Sequence, residues 1–119
     1  MTLEECYNKL HGDYNDVKSR LMNDKLIERI ILKFPGDPSM QTLRDKIEVG
    51  DNPAAFRAVH TLKGVAGNLS FSELYRDAYN LTEQMRDCVS DADPILMAKL
   101  EDSYGLVIDV LKDYLDSKN

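Results

Sequence analysis

Apolar residues recur along this chain at three- and four-residue spacing, in segments separated by proline, glycine, asparagine and aspartate. That is the period of amphipathic helices. Thr2 followed by Glu5 fits a capping box opening a short helix that ends near Gly12. Residues 14–34 read as helical with a break near Asn23, and Leu26, Ile27, Ile30, Ile31 and Phe34 form their apolar stripe. Pro35-Gly36-Asp37 is a turn, after which Asp37 caps a helix with Pro38 at its first position, running to about Val49. Gly50-Asp51 turns the chain again. Asn52-Pro53 opens a helix to about Leu69, Ser70 or Ser72 caps the next one to about Cys88, and Asp93-Pro94 starts a long final helix to about Leu115. The later helices carry inward stripes: Leu74, Ala78, Leu81 and Met85 in one, and Leu100, Tyr104, Val107, Leu111 and Tyr114 in the other.

No segment reads as a strand: hairpin signals and sustained period-two alternation are absent, as are internal repeats. Short connections between long amphipathic helices favour antiparallel neighbours. The expected fold is therefore all-α, an antiparallel four-helix bundle with additional short N-terminal helices. At 119 residues the chain is expected to form one domain, 1–119. Residues 1–22 would be an N-terminal helical extension, and about 23–117 the bundle.

With 43% hydrophobic residues, the chain can bury a core without a metal or disulfide to hold it. A net charge of −6 and a pI near 4.8 argue against nucleic acid or an anionic membrane as a partner. Cys6 and Cys88 are isolated and read as reduced thiols of a cytoplasmic protein. The first residues show no basic or apolar leader, and no apolar run approaches a membrane span. Met1 and the capped first helix favour a free-standing protein.

One helix breaks local rules. His60-Thr61-Leu62-Lys63-Gly64-Val65-Ala66-Gly67 places two glycines mid-helix, each costing roughly 1 kcal/mol relative to alanine. At about 100° per residue, Ala55, Ala58, Val59, Leu62, Val65, Ala66 and Leu69 form the core stripe. His60, Phe56, Gly64 and Gly67 lie opposite, flanked by Arg57 and Lys63. The histidine points away from the core, the glycines clear the surface beside it, and Phe56 would be an exposed aromatic one turn before. From Asn52 to Ser72 there is no Asp or Glu. Lys63, three residues on, is a helical neighbour of His60. A cation there favours the neutral, nucleophilic imidazole. It would then stabilise negative charge placed on the ring, such as a phosphoryl group. A lone surface histidine is ordinarily only solvated, and His11 has no company beyond Gly12; the neighbours of His60 are what set it apart.

Other chemistry has little support. His60 has no further metal ligands on its face. The chain contains no HExxH, no GxxxxGK[ST] loop and no G-x-S-x-G elbow. With no evident nucleotide site, it would have to receive a phosphoryl group from a partner.

The run from Ala58 to Leu69 closely resembles the motif of histidine-containing phosphotransfer (HPt) domains, carriers in multistep two-component phosphorelays. The resemblance covers about residues 20–115 and includes Leu74, Ala78, Leu81 and Arg86 of the following helix. It implies a phosphocarrier without kinase activity of its own. His60 would accept a phosphoryl group from a receiver-domain aspartate and pass it to another receiver. Lys63 would assist electrostatically, and Gly64 and Gly67 would let the receiver approach. Phe56, Arg57, Asn68, Thr82 and Arg86 would lie in the docking surface. The implied partners are response-regulator receivers and a hybrid sensor histidine kinase, met by a monomeric chain. The receiver would bring the magnesium, so no cofactor is expected here. The alternative is a helical module that docks on receiver or kinase domains without carrying phosphate. Two positions depart from the family pattern. Ser70 stands where many members have glycine, and it can cap the next helix. Thr82, beside Glu83 and Gln84, stands where some members place an amide or carboxylate that bonds the imidazole.

Overall fold

The computed structural model describes residues 1–118. Seven α-helices follow in chain order: α1 Leu3–Lys9, α2 Tyr14–Leu21, α3 Asp24–Ile31, α4 Ser39–Glu48, α5 Asn52–Asn68, α6 Ser72–Gln84 and α7 Pro94–Asp116. A 3-10 turn at Phe34–Gly36 joins α3 to α4. No strand occurs among the described residues. The fold is the expected all-α bundle.

Local chemistry sets most of the boundaries. Thr2 and Glu5 form a complete capping box on α1. The break near Asn23 falls where predicted: Met22 ends α2 in the left-handed region, and the Asn23 side chain accepts the Leu26 N–H at 3.1 Å. Asp93 caps α7 by accepting from both Ile95 and Leu96. Three expectations need correction. Helix α4 starts at Ser39 rather than Pro38, although the Asp37 carboxylate does accept the Ser39 N–H at 2.9 Å. Neither Ser70 nor Ser72 caps α6, whose cap position is Phe71 with no side-chain bond. Helix α6 also stops at Gln84, short of Cys88. Beyond it the Asp87 carboxylate gathers the N–H groups of Val89 and Ser90 and the Ser90 hydroxyl into a turn. Those bonds, the Ser90 hydroxyl foremost, pull its pKa down to about 2.

Helices α4, α5, α6 and α7 form the bundle, with α5 packed between α4 and α6, and α6 also against α7. Arg44 of α4 closes the ring with a forked bond to Glu101 of α7, the shortest contact being 2.6 Å. The predicted stripes of α6 are all buried, as are those of α7 apart from half-buried Tyr104. Ile27, Ile31 and Phe34 extend the core beneath α3, where Phe34 meets Phe71 edge-on at 5.4 Å.

Helices α1 and α2 are bolted to the turn between α5 and α6. The fully buried Tyr7 hydroxyl donates to the Leu69 carbonyl at 2.8 Å, and the Asp13 N–H donates to the Ser70 carbonyl at 2.8 Å. Arg20 caps the end of α5 by donating to the Asn68 carbonyl at 2.9 Å and to the Ser70 hydroxyl at 2.5 Å. That hydroxyl donates in turn to Asp16 at 2.6 Å. Ser70 has φ +58, a conformation that glycine adopts without cost and serine does not. Its hydroxyl network is the compensation, which explains how serine replaces the glycine of the family pattern.

Tyr7→Phe leaves the buried Leu69 carbonyl unpaired and should lower unfolding free energy by about 1–2 kcal/mol in denaturant titration. The Ser70 hydroxyl holds the Asp16 carboxyl below its ordinary value of 3.8. A depressed folded-state pKa contributes stability above the unfolded value and loses it as pH falls through the folded one. Melts should therefore show Asp16→Asn destabilising at pH 7, with the difference shrinking below about pH 4.

Candidate functional site

Helix α5 is opened by Asp51, whose carboxylate accepts the Ala54 N–H at 3.2 Å, with Pro53 in the first turn. Its predicted core stripe is buried except Val65, which is half-buried against the core. That burial fixes the helix rotation and leaves His60 exposed. The imidazole makes no hydrogen bond to any described residue.

Helix α6 lines one side of the histidine. The Phe56 ring lies 5.9 Å from the His60 ring, centroid to centroid. Phe56 is half-buried rather than exposed, because the Arg86 guanidinium covers its ring at 5.7 Å. Arg86 is held by Glu83 through contacts of 2.6 and 3.2 Å. Arg86, and secondarily Lys63, hold the Glu83 carboxyl below the usual range. The Lys63 ammonium lies 5.7 Å from the Tyr79 ring centre and forms no ion pair among the described residues. Tyr79 stacks on Tyr75, and both are exposed. The result is a band along α5 and α6: Phe56 with Arg86, then His60, then Lys63 with Tyr79, then Gly67 with Tyr75. Sequence reasoning missed Tyr75 and Tyr79. Their four-residue spacing, on the face of α6 away from Leu74 and Leu81, was the available signal.

The two glycines do different work. A Cβ added to Gly64 would meet no atom within 4 Å. Nothing inside the chain demands glycine there, so what it clears lies outside the fold. A Cβ on Gly67 would sit 3.1 Å from the Tyr75 ring. Gly67 therefore lets α6 approach α5, and is only half exposed.

Thr82 does not belong to the surface. It is fully buried and its hydroxyl donates to the Ala78 carbonyl at 2.6 Å. It neither lines a docking face nor reaches the imidazole. Arg57 and Asn68 are exposed on the flank of α5 away from α6, lining separate clefts. His11 is tied down: its Nδ1 contacts the Glu73 carboxylate and its carbonyl accepts the Glu73 N–H at 3.2 Å. Cys6 is buried, which pushes its thiol up to about 11, and Cys88 is free. No cluster of three His, Cys, Asp or Glu side chains fit to hold a metal occurs among the described residues. No helix among them is long and apolar enough to cross a membrane.

A helical bundle presenting an exposed histidine that is unbonded among the described residues, with a lysine beside it and a cleared helix surface, defines a surface-transfer site rather than an enclosed active site. The family model of the Hpt domain matches residues 36–116, and the chain belongs to that family. Hpt domains are phosphocarriers that work with receiver domains in two-component phosphorelays. The match begins after α3, so the helices that clamp the α5–α6 turn lie outside it. No curated protein and no solved structure gave a match.

Proposed function

We propose that this chain carries phosphoryl groups between receiver domains on His60. An imidazole nitrogen lone pair attacks the phosphorus of a receiver's aspartyl phosphate. The P–N bond forms as the P–O bond to the aspartate breaks, and the carboxylate leaves with the electron pair. The second ring nitrogen keeps its proton. Transfer to the next receiver reverses these steps on a different aspartate. The receiver supplies the divalent ion, and this chain contributes no cofactor and no kinase activity of its own. A hybrid sensor kinase's receiver is the fitting donor, with the chain acting as a cytoplasmic monomer.

The observation that carries this reading is the surroundings of His60. The ring is exposed, Lys63 forms no ion pair among the described residues, and Gly64 leaves the adjacent surface open. A phosphoryl group adds close to two negative charges at neutral pH, and Lys63 is within reach of them. Arg86 can turn to them only by giving up Glu83.

The test is incubation with a phosphorylated receiver carrying labelled phosphate. Label should move to this chain and be lost in acid but kept in alkali, as a phosphoramidate requires. Stable binding with no label transferred to or from any receiver would instead assign a docking module that carries no phosphate.

A further inference from the structure

A cleft of about 360 Å³ opens between the first turns of α4 and the middle of α5, on the flank of His60 opposite α6. Ser39, Thr42 and Lys46 line it from α4, and Arg57 and Thr61 from α5; no carboxylate does. Lys46 and Arg57 form no ion pair among the described residues. Arg44, two residues before Lys46 on α4, behaves differently: it holds the Glu101 carboxylate at 2.6 Å. Two unpaired cations in one cleft stand out in a chain of net charge −6. Ser39 is only 6% exposed, and its hydroxyl has no hydrogen-bond partner among the described residues. No buried side-chain polar atom among the described residues lacks a partner, so the Ser39 hydroxyl is reached by the solvent of the cationic cleft and is open to a ligand there.

The position matters as much as the charge. Arg57 and Thr61 lie about 60° and about 100° round α5 from His60. A body seated on the histidine therefore overhangs the cleft.

We propose that this cleft is an anion subsite that takes a carboxylate side chain from the receiver docked on His60. The proposal rests on the phosphocarrier reading. A receiver's reacting face is acidic by its chemistry, because it carries an aspartate and the acids that hold its divalent ion. The α5–α6 band meets the partner with aromatic rings and Lys63, and the cleft supplies a second, charge-assisted contact. Two contacts on opposite flanks of His60 fix the receiver's rotation about the imidazole. The guanidinium of Arg57 and the ammonium of Lys46 hold the carboxylate, and the Ser39 hydroxyl donates the hydrogen bond it does not make within the chain.

The test has two arms on the full chain. In the first, an unphosphorylated receiver is titrated into the labelled protein and amide shifts are mapped. Perturbation of Ser39, Lys46 and Arg57 along with His60 supports the subsite; perturbation confined to α5 and α6, or none anywhere, overturns it. This arm does not depend on phosphotransfer, so it separates the subsite from the phosphocarrier reading, which fails only if no receiver labels His60. In the second, Lys46→Glu should raise KM for the phosphorylated receiver about tenfold and flatten its salt dependence, while the rate at saturation stays within about twofold. Lys46→Gln should fall between. An unchanged KM and salt slope in a Lys46→Glu protein with unaltered melting would overturn the proposal.

Discussion

His60→Gln abolishes phosphoryl uptake and leaves the fold intact. The side chain is exposed and forms no hydrogen bond to any described residue, so its replacement leaves no buried group unpaired and disturbs only its contact with the Phe56 ring. Surface changes of this kind stay within about 0.5 kcal/mol. Thermal melts of the variant should therefore overlay those of the parent. The amide of glutamine preserves size and polarity but has no lone pair basic enough to displace a carboxylate from phosphorus. Transfer should fall to background, not by a modest factor. Binding of an unphosphorylated receiver should persist, because Phe56, Lys63 and the tyrosines of α6 remain. Retention of acid-labile label by this variant would remove His60 from the mechanism.

Gly64→Gln should separate stability from function in the opposite direction. Gly64 is exposed at mid-helix, and a Cβ there meets nothing within 4 Å. Glutamine has a far higher helix propensity than glycine, a gain of somewhat under 1 kcal/mol per site. That raises the melting temperature by a few degrees in a domain of this size. The same side chain stands one turn from His60, on the surface where a receiver must bring its aspartate within bonding distance. Transfer should drop at least about tenfold, since misplacement by about 1 Å can cost far more than that. A protein that is more stable and yet a poorer phosphate acceptor is hard to explain by damage to the fold. If Gly64→Gln transferred at the parental rate, the glycine would not serve access. At Gly67 the same substitution should gain less stability than at Gly64, because the new Cβ lies 3.1 Å from the Tyr75 ring, which must shift to admit it.

The outline of the bundle was legible because each of its helices buries one stripe, and a stripe is a property of a single segment. Leu74, Ala78, Leu81 and Met85 recur at helical spacing and are all fully buried. The exposure of His60 followed from the same reasoning, since the apolar residues of α5 fix its rotation. What the pattern missed depends on pairing between segments. Thr82 looks polar and surface-seeking, yet its hydroxyl is satisfied by the carbonyl four residues back, which lets it be buried. Ser70 looked like a cap, but its partners are Asp16 and Arg20 in a different helix. The same holds for Phe56, whose cover comes from Arg86. Gly64 and Gly67 look alike in sequence, and only the antiparallel register with Tyr75 separates them.

The most direct measurement is the NMR spectrum of the phosphorylated chain, with phosphorus coupling traced to a named imidazole. The chain has two histidines, and His11 is already engaged by Glu73. One phosphoramidate signal, coupled to ring protons of His60 and absent in His60→Gln, is the expected result. A signal assigned to His11, or phosphate carried on oxygen, would contradict the phosphocarrier role of His60.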